Sequence, residues 1–511
     1  MIAKINSMGL CGIEGFSIQV ETDVTNGLPA WEMVGLADHA VKESKERVRA
    51  SIKHSGWQMP GKRIVVNLAP AGVKKEGSSL DLPIAVGMLI SSEQVSVSNL
   101  ETAAFFGELS LDGRLRPVSG ALPMAICAYQ NGIKQLFLPK ENAAEAAVVS
   151  GLQVYGAQNL KQVIDHLTGE ESLTPYRIDV EALFRASHAG GYDFSEVKGQ
   201  KGAKRAMEVA AAGGHNILLI GPPGAGKTML AQRFPTILPD MSFEEALEVT
   251  KVHSIAGWVS EKEPLVTKRP FRNPHHTVSA VGLSGGGSNP KPGEVSLSHH
   301  GVLFLDELPE FRKDALEILR QPLEDGTVSI TRAKATHTYP CNFMLIASLN
   351  PCPCGFYGDK NHICTCTPQK IKKYLGKVSG PLLDRIDLHI EVSAVPYQDL
   401  EQKSEHAESS EAIKERVNRA RQMQRERYKG EGIYSNARLT PKMMEKYCTP
   451  SPEGAELLKN AFETLGLSAR AHNRILKVAR TIADLAGCEQ IQAEHLAEAI
   501  QYRSLDRKFW A

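Results

Sequence analysis

The 511-residue chain has no long apolar run, almost no net charge and no internal repeat. Its longest hydrophobic stretches, such as IAVGMLI and GVLFL, fall far short of the ~20 residues that cross a bilayer, which argues against a membrane-spanning helix. The opening MIAKINSMGLCGIEGF has no apolar core after its lysine, so no secretory signal is expected and the chain is assigned to the cytoplasm. A net charge of +1 excludes a global electrostatic field, so any nucleic-acid surface must come from local basic patches. No long low-complexity segment interrupts the chain, whose length suits about three domains, each with its own core. In a reducing compartment, clustered cysteines point to metal before disulfide.

Residues 1–165 alternate short β-rich runs (GFSIQVETDV, RIVVNLAP, QLFLP) with amphipathic stretches such as HAVKESKERVRASIKHSG, the pattern of an α+β or α/β domain. Residues 166–192 are punctuated by Gly, Pro and Ser and read as a linker. Residues 193–395 run helix, strand, glycine-rich turn, helix, as in a parallel-sheet nucleotide domain. Residues 396–511 are helix-rich, with EAIKERVNRARQMQRERYKG and ARAHNRILKVARTIADLAG.

The chemistry concentrates in the third of these regions. HNILLIGPPGAGKTMLAQRF is a buried strand, a loop running Gly221-Pro222-Pro223-Gly224-Ala225-Gly226 into Lys227 and Thr228, and then a helix. Glycines let backbone N–H groups curl around phosphate oxygens, Lys227 is placed to reach the β- and γ-phosphates of ATP, and Thr228 to ligate Mg²⁺. The bland reading is a chance glycine-rich turn. GVLFLDELPE is a second apolar run, ending in Asp306 and Glu307. Acids at a strand's carboxyl end suit a Mg²⁺ shell (Asp306) and polarisation of the attacking water (Glu307). A third strand, NFMLIASLNP, delivers Asn350, an amide suited to orient water or the γ-phosphate. SGPLLDRIDLHIEV sets Arg385 between two aspartates, as a salt-bridged structural arginine or as a finger for a neighbouring subunit's nucleotide.

Together these segments resemble the AAA+ ATPases, in the branch of magnesium chelatase ATPase subunits and MCM replicative helicases, from about Glu196 to Tyr502. The resemblance implies a Walker A at Lys227 and Thr228, a Walker B at Asp306 and Glu307, a sensor 1 at Asn350 and an arginine finger at Arg385. It implies a sensor 2 helix in SARAHNRILKVARTIADL, at Arg470 with Arg474 in reserve, and an adenine-side opening in FSEVKGQ. RPFRNPHHTVSAVGLSGGGSNPKPGEVSLSHHGVLFLDE, NPCPCG with its second CxC, and SGPLLDRIDL are similar to the ComM/YifB family of Mg chelatase-like proteins, over the whole chain. That family implies a hexameric, ATP-driven DNA motor promoting branch migration during natural transformation, acting on single-stranded and branched DNA without sequence preference.

FFGELSLDGRLRPVSGALPMAICAYQNGIKQLFLPKEN and KKEGSSLDLPIAVGML resemble the proteolytic domain of Lon proteases, an S5-like α+β fold. Ser79 matches the nucleophile. The position of the partner lysine is Leu122, which takes no proton, so the resemblance implies a Lon-like domain without proteolysis. By similarity with the MCM branch, GTVSITRAKATHTYP is a pre-sensor hairpin carrying Arg332 and Lys334 toward DNA; solvated hairpin charges are the alternative. PHHTVSAVGLSGGGSNPKP is a second candidate DNA loop, and the basic helix ERVNRARQMQRERYK is assigned no site.

Cys352, Cys354, Cys364 and Cys366 form a CxC-x9-CxC array within fifteen positions. Four thiolates suit tetrahedral, structural Zn²⁺, although one intervening residue strains chelation. The alternative is reduced cysteines in a tight Pro-Gly turn, and His362 is a substitute ligand. The expected architecture is therefore a Lon-like α+β domain, an AAA+ P-loop core on a parallel sheet and a C-terminal helical lid. A magnesium-chelatase-type subunit and an AAA+ unfoldase or chaperone are the rival functions.

Overall fold

Alternating burial organises the first sheet. Along Glu14–Thr25 every second side chain from Ile18 to Val24 is buried, and along Arg63–Ala69 the same holds for Ile64, Val66 and Leu68. One face of such a strand meets a core and the other faces outward. Ile2–Cys11 pairs antiparallel with Glu14–Thr25 from Ile2↔Asp23 to Cys11↔Glu14, so Gly12 and Ile13 make the turn; Gly12 takes φ +63, open to glycine without penalty. The seven-stranded mixed sheet runs Ala30–Val34, Arg63–Ala69, Glu14–Thr25, Ile2–Cys11, Ala103–Phe105, Gln135–Pro139, Gln153–Ala157. Two apolar clusters complete it. One gathers around the wholly buried helix Asp81–Ser91, the other around helix Ala121–Gln130.

The computed structural model describes the chain except residues 1, 187–190, 288–289, 333–334, 360–361, 396–406, 466–467, 506–508 and 510–511. It divides into two units that do not follow chain order. Met1–His188 is joined by Phe243–Thr267 and Thr331–Tyr339, while Ala189–Ser242, Lys268–Ile330 and Pro340–Ala511 make up the second. Two segments that sequence places inside a continuous 193–395 core therefore belong with the first unit. The cause is packing. Helix Phe243–Ala256 buries Ala246, Val249 and Val252, and its Ser254 carbonyl accepts from Gly120 N at 3.1 Å, at the start of helix Ala121–Gln130. Lys251 also lies 3.7 Å from Glu14. Within 166–192, Tyr176 N donates to Val154 O at 2.8 Å and Val180–Ala186 is helical, so the linker carries structure.

The second unit is built on the expected parallel sheet, in the order Phe271–Arg272, Val302–Leu305, Met344–Leu349, Ile217–Ile220, Leu388–Glu391. Ile217–Ile220 and Val302–Leu305 are buried at every residue, which is why they read as continuous apolar runs and not as alternation. The C-terminal helices Ser410–Arg427, Ala469–Leu485 and Ala493–Gln501 share one apolar core with the sheet, where Val417, Ile475 and Leu496 cluster with Ile217 and Ile346. Charges fasten the same surfaces: Arg205 on helix Lys201–Gly213 holds Glu498 at 2.9 Å and Glu208 at 3.0 Å. No described helix is long and apolar enough to cross a membrane.

Candidate active site

The carboxyl end of the parallel sheet gathers the polar residues. Strand Ile217–Ile220 delivers Gly221, where an added Cβ would lie 2.1 Å from Val392 O; only glycine lets the loop leave beside the end of the neighbouring strand. The loop then turns through Gly224 (φ +75) and Gly226 (φ +88) into helix Lys227–Arg233. Lys227 is 8% exposed. Its Nζ donates to Gly221 O at 2.7 Å, Pro222 O at 2.9 Å and Asn350 Oδ1 at 3.1 Å. Burial pulls the ammonium's pKa down, against the pull of Asp306 and Glu307. Gln200, at the end of FSEVKGQ, closes the loop from outside, its Nε2 donating to Ala225 O at 3.2 Å.

The next strands bring the acids. Val302–Leu305 ends at Asp306, whose Oδ2 accepts from Thr228 Oγ1 at 2.8 Å. Its Oδ1 accepts from Ser348 Oγ and, at 3.1 Å, from Glu307 N. Ser348 is thus a positioning residue for Asp306; a lone hydroxyl in the apolar run MLIASL was its only mark in the sequence. Glu307 adopts a left-handed backbone (φ +55), which for a non-glycine residue costs about 1–3 kcal/mol and persists where the surroundings hold it. Its carboxylate is half-exposed and lies 3.8 Å from His276 Nδ1. His276 in turn sits 4.1 Å from the His275 ring and packs edge-on to Phe311. The PHH segment, read as a DNA loop, therefore reaches Glu307.

Beyond Asn350 the chain folds into a thiol cluster. Cys352 Sγ lies 3.3 Å from Cys354 Sγ and 3.7 Å from Cys364 Sγ, and Cys354 lies 3.6 Å from Cys364. With Cys366, all four sulfurs fall within 4.8 Å of one another. His362 is not in this set: its ring stacks on Phe356 at 4.6 Å.

The arginines take the other end of the sheet. Arg385 Nη1 donates to Pro381 O at 2.7 Å, and Nη2 meets Glu324. Arg470 Nη1 lies 3.4 Å from Asp384, and Arg474 Nη1 3.4 Å from Asp387. Asp387 N and Leu388 N bond to Asn216 O, just before the parallel strands begin. The three arginines are therefore at the amino ends and the phosphate loop at the carboxyl ends, about 13 Å away by the rise of a four-residue strand. The geometry does not bring Arg385, Arg470 or Arg474 to their own chain's phosphate loop.

Comparison with known proteins covers every part of the chain. Residues 193–400 match the family described as magnesium chelatase, subunit ChlI. Residues 20–142 match subunit ChlI of Mg-chelatase and residues 407–503 the subunit's C-terminal region. The uncharacterized protein YifB of Salmonella typhimurium is 44% identical over 508 residues, 99% of this chain and 98% of its own. Competence protein ComM of Haemophilus influenzae is 44% identical over 516 residues, with the same coverage. The chain belongs to the ComM/YifB family. Lon protease 2 of Bacillus subtilis is a more distant relative, 24% identical over 184 residues, 32% of this chain and 33% of its own.

A Mg chelatase-like AAA+ member of the ComM/YifB family implies a nucleotide and Mg²⁺, and the residues fit both: Thr228 and Asp306 offer paired oxygen donors of the kind Mg²⁺ takes. In the Lon-like region, Leu122 is fully buried with its N–H on Glu145 Oε1 at 3.0 Å. Among the described residues, no hydrogen-bonded base reaches the Ser79 hydroxyl; its backbone O accepts from Gly107 N at 2.7 Å. Of the two hairpin cations, Arg332 ends strand Thr327–Arg332 and Lys334 lies outside the described residues.

Proposed function

We propose that the chain is a hexameric AAA+ ATPase that converts ATP hydrolysis into movement along DNA, with branch migration of recombination intermediates in natural transformation as its task. The observation that carries the ATPase half is the convergence of Lys227, Thr228, Asp306 and Asn350 on one glycine-rich loop. Lys227 binds the β- and γ-phosphates, Glu307 takes a proton from the attacking water, and Asn350 orients it. Mg²⁺, held by Thr228 and Asp306, supplies charge neutralisation on the phosphate oxygens. Asp306 is kept in place by Ser348.

The ring is supported by the position of Arg385, Arg470 and Arg474 at the far end of the sheet, where they serve a neighbour's nucleotide and not their own. The DNA half is supported by identity over nearly the full length to a protein named for competence. Arg332 and Lys334 are proposed as phosphate contacts, which carry no sequence information. The thiol cluster is proposed to hold structural Zn²⁺, since ~2.3 Å Zn–S bonds in a tetrahedron place sulfurs about 3.8 Å apart, close to the 3.3–3.7 Å found. The working compartment is the cytoplasm.

DNA-stimulated ATPase activity, followed by a three-strand branch-migration assay on purified protein, tests the reading. Strand exchange that needs hydrolysable ATP supports it. ATPase activity indifferent to DNA returns the chain to a chelatase-type subunit or an unfoldase.

A further inference from the structure

The thiol cluster and the phosphate loop touch. Gly355 lies in the cluster's first turn, between Cys354 and the second CxC, and its N–H donates to Cys352 O at 2.9 Å. It adopts φ +88, and a Cβ there would lie 2.4 Å from Pro223 Cδ and 2.8 Å from Pro223 Cγ. Real Cβ atoms do not come so close, so this backbone is seated on the second proline of the phosphate loop. A second link runs through the chain itself: Asn350, two residues before the buried Cys352, accepts from Lys227 Nζ at 3.1 Å. The turn that bears two of the four sulfurs thus abuts one side of the loop, and the residue leading into it holds the loop's lysine.

We infer that the four-cysteine knot is a strut for the nucleotide site of its own subunit, so that a metal ion held by Cys352, Cys354, Cys364 and Cys366 sets how tightly that subunit holds ATP. The inference rests on the zinc and phosphate-loop readings above. All nine cysteines are free thiols, so no disulfide fixes this turn in place of a metal. A closed four-ligand site locks the positions of its turns. Opening it frees the Cys352–Gly355 turn to move off Pro223 and to carry Asn350 away from Lys227. A loop held in its bound shape binds more tightly than one that binding must first order.

The test uses the full-length protein, with zinc read by elemental analysis and affinity by titration of a fluorescent ATP analogue without DNA. Gly355→Ala should keep its zinc but bind the analogue about tenfold more weakly, the equivalent of ~1.4 kcal/mol and within the cost of overpacking. Adding Pro223→Ala, which removes the ring that the new methyl strikes, should recover part of that loss, the strain of an alanine at φ +88 remaining. Should Gly355→Ala fold poorly or lose its zinc, stripping wild-type protein with a chelator should weaken binding by a similar factor, and Zn²⁺ alone should restore it. Wild-type affinity in zinc-loaded Gly355→Ala, or in protein shown to be stripped, overturns the inference. Wild-type protein without zinc overturns the zinc reading and the inference together. Zinc-replete wild type that binds no nucleotide overturns the phosphate-loop reading instead.

Discussion

Lys227 spends its three donors on two loop carbonyls and the Asn350 amide. An ammonium so buried is tolerated because each proton has an acceptor. Lys227→Ala should abolish ATP hydrolysis in a phosphate-release assay while leaving the melting temperature within a few degrees, since the helix behind it keeps its apolar contacts; full turnover would remove the phosphate-loop assignment. Asp387 is a different kind of buried charge. Burial pushes its carboxyl up, but the His215 hydrogen bond and the Arg474 charge outweigh this and hold it well below the usual range. A carboxyl with a lowered folded-state pKa stabilises fully above its unfolded value of about 3.9 and loses that contribution as pH falls toward the folded value. Asp387→Asn should therefore melt several degrees below wild type at pH 7, with the gap constant down to about pH 5 and shrinking below pH 4. A gap that widens on acidification would mean that the carboxylate is a burden in the fold.

Among the elements, the Lon-like turn keeps a serine at Ser79 without a base beside it among the described residues. Leu122 fills a buried position whose N–H is held by Glu145, and a side chain there without nitrogen cannot deprotonate Ser79. Casein incubated with the protein should stay intact; cleavage that vanishes in Ser79→Ala would reverse this. The strands of the nucleotide unit were legible because burial on both faces writes itself as unbroken apolar runs, and their polar endings named Lys227, Asp306 and Asn350. Ser348 and Gln200 were not legible, since one hydroxyl in a strand and one amide before a helix have many structural uses. Helix Phe243–Ala256 was not singled out in the sequence: its buried side mixes Ala246, Val249 and Val252 with Thr250 and Ser254, and no local pattern says against which sheet such a face packs. The contact of Gly355 with Pro223 joins positions more than a hundred residues apart, and spacing along a chain carries no trace of it.

For the whole molecule, the proposed ring predicts that turnover needs assembly, because Arg385 would act on a neighbour's nucleotide. Arg385→Ala should bind ATP normally and hydrolyse it slowly, and lysine should replace it poorly because it lacks the planar fork of donors. Mixing Arg385→Ala chains with Lys227→Ala chains should restore part of the activity, as some interfaces pair an intact loop with an intact arginine. Activity equal to the sum of the two residual rates, in rings shown to be mixed, would place Arg385 outside a neighbour's site.

The discontinuous make-up of the first unit bears on how a cell makes this chain. A ribosome has finished residue 188 long before it reaches residue 339, the last that the unit uses. The helix that packs on Ala121–Gln130 is complete at Ala256, 256 − 188 = 68 residues after residue 188, a delay of roughly 3–14 s at 5–20 residues per second. Through that time the newly made sheet waits for the helix whose Ser254 meets Gly120, and the apolar side of Ala121–Gln130 is without one of its covers. Apolar surface left uncovered during synthesis is prone to aggregate, so the order in which these segments emerge bears on how much of the chain reaches the native state.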